Sequence, residues 1–293
     1  MICFYHDDMD GYASAAIVRK AFPEVKLQRI QYGDIEKIDF AQFKLNMIKE
    51  QDIVIVDFSF PKAYMNALKE LYDREQIKSV VWIDHHISAK KENPDLWEDI
   101  SFGGIRKIEQ ESAALLTWQY YFPVDEESMT LIFISCYDTW KFHGKETEIK
   151  QYISLLNVCI GRTKEEPLSP DWDLFFKADY KISKEELIIG QFLLEAANQR
   201  ADDAIKDGRV IDFRCHKTLC VNSRNDISLI GEKIYNMDYE IGLIWCVRNG
   251  VVTASLRSRK VDVSELAKTY GGGGHKSAAG FTMKIHDFAY CFL

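Results

Sequence analysis

The run Ile53-Val54-Ile55-Val56, set between Asp52 and Asp57, constrains this chain more than any other stretch. Successive residues of a strand point to opposite faces, so four β-branched side chains in a row need apolar cover on both sides. A second such run, Val80-Val81-Trp82-Ile83, follows after a helical pattern over 62–74. Upstream, the order is a strand over 2–5, a polar turn over 6–11, a helix over 12–21 ending before Pro23, and a strand over 26–31. Strands alternating with helices at this spacing imply right-handed crossovers and a parallel sheet. The expected class is α/β, with helices on both faces of a parallel sheet.

What ends those strands is chemical. The second apolar run stops at Asp84-His85-His86, and the first strand runs into His6-Asp7-Asp8-Met9-Asp10-Gly11. Two adjacent imidazoles lose hydration on burial and need partners for their nitrogens. An open α/β sheet builds its site at the carboxyl ends of its strands, where these groups fall. Imidazole and carboxylate ligands together suit a borderline divalent ion such as manganese. Clustered carboxylates without a cation repel one another, so such a cluster wants a counter-ion. Taken singly, the opening loop could be a helix-capping turn, Asp57 an N-cap and Asp138 part of a surface turn. Together, His6, Asp8, Asp10, Asp57, Asp84, His85 and Asp138 converge on one edge if the sheet is parallel. That is enough for two metals sharing a carboxylate.

Helices are expected over 111–121 and 127–137, the second handing residues 135–138 to a loop. Shorter helices follow over 150–159 and 171–177. A helical linker begins with the capping box Ser183-Lys184-Glu185-Glu186 and ends at Asp207-Gly208. Strands are expected over 209–213, 218–221, 240–247 and 251–256, with Asn249-Gly250 as the hairpin turn between the last two. Asp262 should cap a helix through Tyr270, and a strand over 278–283 closes a smaller α+β domain. The expected division is a metal-binding domain over 1–182, a linker over 183–207 and a substrate domain over 208–293.

Two features of that smaller domain could grip phosphate. Gly271-Gly272-Gly273-Gly274-His275-Lys276 has neither Walker nor dinucleotide order. Its backbone N–H groups could still approach an anion closely, and a flexible hinge is the plainer alternative. Arg257-Ser258-Arg259-Lys260 is either a solvated basic turn or a bidentate phosphate grip. Residues 206–293 hold 13 Lys and Arg against 9 Asp and Glu, whereas residues 1–205 hold 24 against 36. That split suits a metal-carboxylate centre with a separate phosphate-binding part, and not a stripe for long duplexes. A chain 47% hydrophobic and 28% charged is ordinary for a folded enzyme. It has no apolar run of the roughly 20 residues a membrane span needs, and no basic leader precedes the first strand. A cytoplasmic location is expected. The seven scattered cysteines contain no C-x-x-C pair and are expected reduced and mostly buried.

The set His6-x-Asp8-x-Asp10-Gly11, Asp57 after an apolar strand, Asp84-His85-His86, Asp138 and the 271–281 segment resembles the DHH phosphoesterases that carry a DHHA1 domain. That superfamily includes nano-RNases and RecJ-type exonucleases, with family II pyrophosphatases as distant relatives. In pattern the chain is similar to the second Bacillus-type nano-RNase. The resemblance implies a larger domain with two manganese ions, a smaller one holding substrate, and a cleft between them. It implies that His6, Asp8 and Asp57 hold one ion, and Asp10, Asp57, His85 and Asp138 the other. Asp84 would fix an imidazole, and His86 would face the scissile phosphate. Arg257 and His275, with the backbone of Gly272, Gly273 and Gly274, would grip a phosphate or terminal nucleotide.

Two departures from the pattern stand out. Asp138 is followed by Thr139-Trp140 where many nano-RNases have Thr-Gly. Trp140 is expected in the core, with base stacking as the alternative. The opening loop also sets its acids closer to its histidine than pyrophosphatases do. The expected activity is manganese-dependent two-metal hydrolysis of short oligonucleotides or linear dinucleotides. Alternatives are an exonuclease on single-stranded DNA, a nucleoside bisphosphate phosphatase, a pyrophosphatase, or a non-catalytic nucleotide sensor. No long duplex or membrane partner is expected, and oligomeric state is left open.

Overall fold

Residues 1–30, 48–108, 110–161, 166–248 and 250–292 are described in this computed structural model. Contacts divide the chain into two compact units, Met1–Leu193 and Leu194–Leu293.

The first unit opens with β1 (Ile2–His6), α1 (Met9–Ala21), β2 (Lys26–Ile30), β3 (Asp52–Val56), α2 (Lys62–Asp73) and β4 (Ser79–Ile83). The strands form one sheet in the order β2-β1-β3-β4, and every pairing is parallel. The β-branched run behaves as its composition requires. Ile53 and Ile55 join Phe4, Trp82, Met65 and Leu68 on one face, beneath α2. Val54 and Val56 join Cys3, Tyr5, Ala15 and Val18 on the other, beneath α1. Each such side chain, fully buried, contributes roughly 1.5–3 kcal/mol. From β1 the chain moves outward to β2, and from β3 it moves the opposite way to β4. The carboxyl ends of β1 and β3 therefore flank the point where strand order reverses, which is where sheets of this kind open a crevice.

The remainder of this unit is helical: α3 (Ile87–Glu92), α4 (Pro94–Trp97), α5 (Ala113–Tyr121), α6 (Met129–Asp138), α7 (Glu146–Gly161), α8 (Trp172–Phe175) and α9 (Lys184–Lys206). Several boundaries differ from expectation. α1 starts at Met9 rather than residue 12, because the Asp8 carboxylate accepts from the Gly11 N–H and caps it there. Asp138 closes the last turn of α6 instead of lying in a loop. α7 is longer than expected, and α3 and α4 were not anticipated. The capping box that opens α9 forms: Ser183 N–H donates to Glu186 Oε2 (2.8 Å) and Glu186 N–H to Ser183 Oγ (3.1 Å). The boundary between the two units falls inside α9.

The second unit holds β5 (Arg209–Phe213), β6 (His216–Asn222), α10 (Ile227–Tyr235), β7 (Ile241–Arg248), β8 (Val251–Arg257), α11 (Val263–Lys268), β9 (Gly273–Gly274), β10 (Ala278–Lys284) and α12 (Ile285–Phe292). Its six-stranded sheet runs β5-β6-β7-β8-β10-β9 and is antiparallel except where β6 meets β7. That parallel pair needs a crossover, and α10, which the sequence reading missed, supplies it. α12 was also missed; its Phe288 and Phe292 are buried in the core of this unit. The expected hairpin turn includes residue 249, which lies outside the described residues; Arg248 and Val251 pair across it. Of the seven cysteines, Cys3, Cys220 and Cys246 are buried, Cys136 and Cys159 half-buried, and Cys215 and Cys291 exposed, so fewer are buried than expected. No helix among the described residues is long and apolar enough to cross a membrane.

Candidate metal centre

The site begins where β1 stops. A Cβ on Gly11 would lie 2.1 Å from the His6 carbonyl oxygen, so only glycine lets α1 start directly against the strand end. This brings Asp8 beside His6, with Nδ1 2.8 Å from Asp8 Oδ2. Asp10, in the first turn of α1, is buried and reaches the amino end of α5. It accepts from the N–H groups of Ala113 (2.8 Å) and Ala114 (2.9 Å), next to the capping Ser112. No side-chain signal marks those two donors, because they are backbone groups on alanines. Ser112 ahead of an apolar run was the one cue.

Asp57 follows β3 with a left-handed backbone (φ 56°), its N–H donating to the Ile83 carbonyl at 3.0 Å. Such a conformation in a non-glycine residue costs free energy and clusters at functional positions. Asp84 is fully buried. Its Oδ1 accepts from the N–H groups of His85 (2.8 Å) and His86 (3.1 Å) and lies 2.7 Å from His86 Nδ1.

The pieces meet at His85 and Asp57. His85 Nε2 lies 3.4 Å from Asp57 Oδ1, 3.4 Å from Asp138 Oδ2 and 3.7 Å from Asp10 Oδ2. Asp57 Oδ2 is 3.7 Å from His6 Nδ1, and Oδ1 is 3.8 Å from His86 Nδ1. Three sets of groups in this unit each bring their ligand atoms within 4.8 Å of one another: His6, Asp8 and Asp57; Asp10, Asp57 and His85; Asp57, Asp84 and His86. Asp57 belongs to all three. All eight residues singled out in this part of the sequence thus lie in one cluster, drawn from β1, α1, the end of β3, the end of β4 and α6.

The electrostatics of this cluster call for cations. Burial, and then the charges of Asp8, Asp10, Asp138 and Asp84, push the Asp57 carboxyl well above the usual range. Burial also raises Asp10, against the pull of His85. Asp84 and Asp8 are held low despite burial, Asp84 by His86 and Asp8 by His6. Asp57 Oδ2 is buried and has no hydrogen-bond partner. A buried carboxylate oxygen left in this way is costly unless a cation completes it. The donor set of carboxylates and imidazoles fits divalent ions.

The residues expected to bind phosphate lie in the second unit. Arg257 ends β8; its side-chain stem packs on Gly231 of α10, where a Cβ would meet Arg257 Cγ at 2.5 Å. Arg257 faces Ala278 across the sheet, and the Ala278 carbonyl accepts from the His275 N–H (2.7 Å), so Arg257 and His275 flank the start of β10. The glycine run is not a hinge. Gly273 and Gly274 form an edge strand against β10. A Cβ on Gly272 would sit 2.0 Å from the Gly280 carbonyl oxygen, and Gly274 has φ +138°. Gly271, Gly272 and His275 already donate their N–H groups to Lys268, Ala267 and Ala278. His275 and Ala278 exchange both bonds, so antiparallel alternation turns the Gly274 N–H away from β10. Trp140 departs from expectation too: it is 44% exposed rather than in the core. It is the left-handed residue (φ 54°) of a Schellman turn closing α6, with Lys141 N–H donating to the Cys136 carbonyl at 3.0 Å. Glycine is the usual occupant there, and a side chain costs about 1 kcal/mol.

Known proteins resemble the chain in one domain and along most of its length. The family model described as the DHHA1 domain matches residues 228–289. That segment lies within the second unit, and the chain as a whole is similar to curated proteins. It is 22% identical over 302 residues to oligoribonuclease NrnB of Bacillus subtilis, covering 94% of this chain and 71% of that one. It is 23% identical over 245 residues to the bifunctional oligoribonuclease and PAP phosphatase NrnA of Mycoplasma genitalium, covering 82% and 71%. Among solved structures, the DHH domain of a protein assigned to a family of ribosomal proteins shares the fold. It has a TM-score of 0.54 and 15% identity, with 99% of this chain and 83% of that one covered.

Proposed function

We propose that this chain is a phosphoesterase of the DHH/DHHA1 type that hydrolyses short oligonucleotides or linear dinucleotides with two divalent cations, manganese being the ion that suits the donor set. The observation that carries the reading is Asp57, buried and shared between the His6–Asp8 group and the Asp10–His85 group. His6, Asp8 and Asp57 would hold one ion, and Asp10, Asp57, His85 and Asp138 the other. When bound, the ions supply Lewis-acid charge to a phosphoryl group and make water acidic enough to serve as nucleophile. The chain's own residues do the rest. Asp84 Oδ1, 2.7 Å from Nδ1 of His86, fixes the orientation of the ring, which would face the scissile phosphate. Arg257, His275 and the Gly274 N–H supply donors for a terminal phosphate in the second unit. The excess of acid over base in residues 1–205 disfavours a long nucleic acid strand, which needs many phosphate contacts. The names of the relatives support this substrate class, and that of NrnA adds a nucleoside bisphosphate to the panel worth testing.

The test is turnover of a dinucleotide, a long single strand, a nucleoside 3′,5′-bisphosphate and pyrophosphate, each with manganese and with chelator. The dinucleotide should be the best substrate, and chelation should stop the reaction. Asp10→Asn, which keeps a carbonyl oxygen for the amino end of α5, should lower kcat at least a hundredfold. Full turnover in chelator, or in this variant, would refute the assignment.

A further inference from the structure

The segment that follows Asp138 is not accounted for by the metal centre. Of the six tryptophans, Trp82, Trp97, Trp118 and Trp172 are buried to within 4% of full cover, whereas Trp140 stands 44% exposed. It does so at a left-handed turn position that glycine fills more easily, so neither core packing nor backbone preference accounts for it. The ring is nevertheless fixed. Phe142 meets it edge-on at 5.2 Å, Tyr137 lies tilted at 5.9 Å, and the Lys150 ammonium sits 5.4 Å from its centroid. The Schellman hydrogen bonds tie its backbone to α6 two residues beyond Asp138, whose Oδ2 is 3.4 Å from His85 Nε2. From Thr139 to Lys145 there is no acid, and Lys141 and Lys145 are exposed, within a unit otherwise rich in carboxylates.

We propose that Trp140 is the platform on which a nucleobase of the substrate stacks beside the metal centre, with Lys141 and Lys145 offsetting the adjoining phosphates. The inference rests on the phosphodiesterase reading above. It assigns Trp140 a role in base binding rather than in bond cleavage. An aromatic face with nearby cations is how proteins hold single-stranded bases without reading sequence, because every base has a π-face. The platform therefore predicts little preference among bases.

The test uses the full chain with manganese and two substrates, a dinucleotide and its base-free diribose analogue, on wild type, Trp140→Gly and Trp140→Phe. Glycine suits the turn, so that variant should fold and melt no lower than wild type. Its KM for the dinucleotide should rise about tenfold, a usual loss for one stacked base, with kcat little changed. The base-free analogue should show no difference, and Trp140→Phe should recover most of the dinucleotide affinity. If wild type cleaves the dinucleotide and Trp140→Gly keeps its KM, the platform is wrong while the phosphodiesterase reading survives. Equal losses on both substrates would mark a structural role and overturn the platform as well. If wild type cleaves neither substrate, both inferences fall.

Discussion

Asp57 concentrates the conflicts of this molecule in one side chain. Its backbone is left-handed, its carboxyl is buried, and four other carboxylates lower its tendency to ionise. A folded-state pKa above the unfolded value of about 3.9 means that the native, metal-free chain holds a proton the unfolded chain releases. The stability this confers is present below the unfolded pKa and is lost as pH rises through the raised folded pKa. Urea titrations of metal-free protein should therefore show stability falling over that window. Asp57→Asn, which tolerates the left-handed turn, should flatten the fall and abolish cation binding. Arg106 makes the opposite case, a cation spent entirely on the fold. Its guanidinium donates to the carbonyls of Trp97, Trp82, Gly103, Asp99 and Phe102 at 2.7–3.2 Å. That uses all five donors of the group. Lysine has three donors and no fork, so Arg106→Lys should cost about 2–4 kcal/mol by chemical denaturation. The role of Arg106 cannot be read from residue type, since its five acceptors are backbone groups.

At the scale of elements, the strands and the long helices were legible because their signals are local. A β-branched run and the Ser183-to-Glu186 capping box each carry their meaning within a few residues. The capping box yields a prediction of its own. Burial opposes ionisation of Glu186, but hydrogen bonds from Tyr180 and Ser183 hold it below the usual range. Its contribution should be full above an unfolded pKa of about 4.3 and lost as pH falls through the lowered folded value. Glu186→Ala should cost about 1 kcal/mol at pH 7 and progressively less as the medium is acidified, measured as the difference in unfolding free energy. The glycine run was legible as special but not as a strand, because pairing depends on where β10 lies. Gly272→Ala, whose Cβ would strike the Gly280 carbonyl, should destabilise the second unit by about 1–3 kcal/mol while leaving cation binding to the first unit intact. α10 and α12 were missed for a similar reason. A short amphipathic run becomes a helix when a sheet is there to cover it, and nothing within the run says so.

For the whole molecule, cation binding to the native state alone should appear as stability. At a hundred times its dissociation constant a divalent ion adds about 2.7 kcal/mol per site. Trp82, Trp97, Trp118, Trp140 and Trp172 all belong to Met1–Leu193, so tryptophan fluorescence chiefly reports that unit. Its melting transition should rise on adding manganese and return with chelator. An unmoved transition would argue against a site in this unit. By itself the sequence determined the alternation of strands and helices, and hence a parallel sheet whose strand ends carry His6, Asp57 and the Asp84-His85-His86 trio. Those features follow from periodicity and from what burial permits, which are properties of short stretches. Only the tertiary structure decided that Asp57 also joins Asp84 and His86 in a third group, that Asp10 also holds the amino end of α5, and that Trp140 stands in solvent. Each of these depends on atoms far apart along the chain meeting within a few ångströms, and no local pattern encodes such a distance.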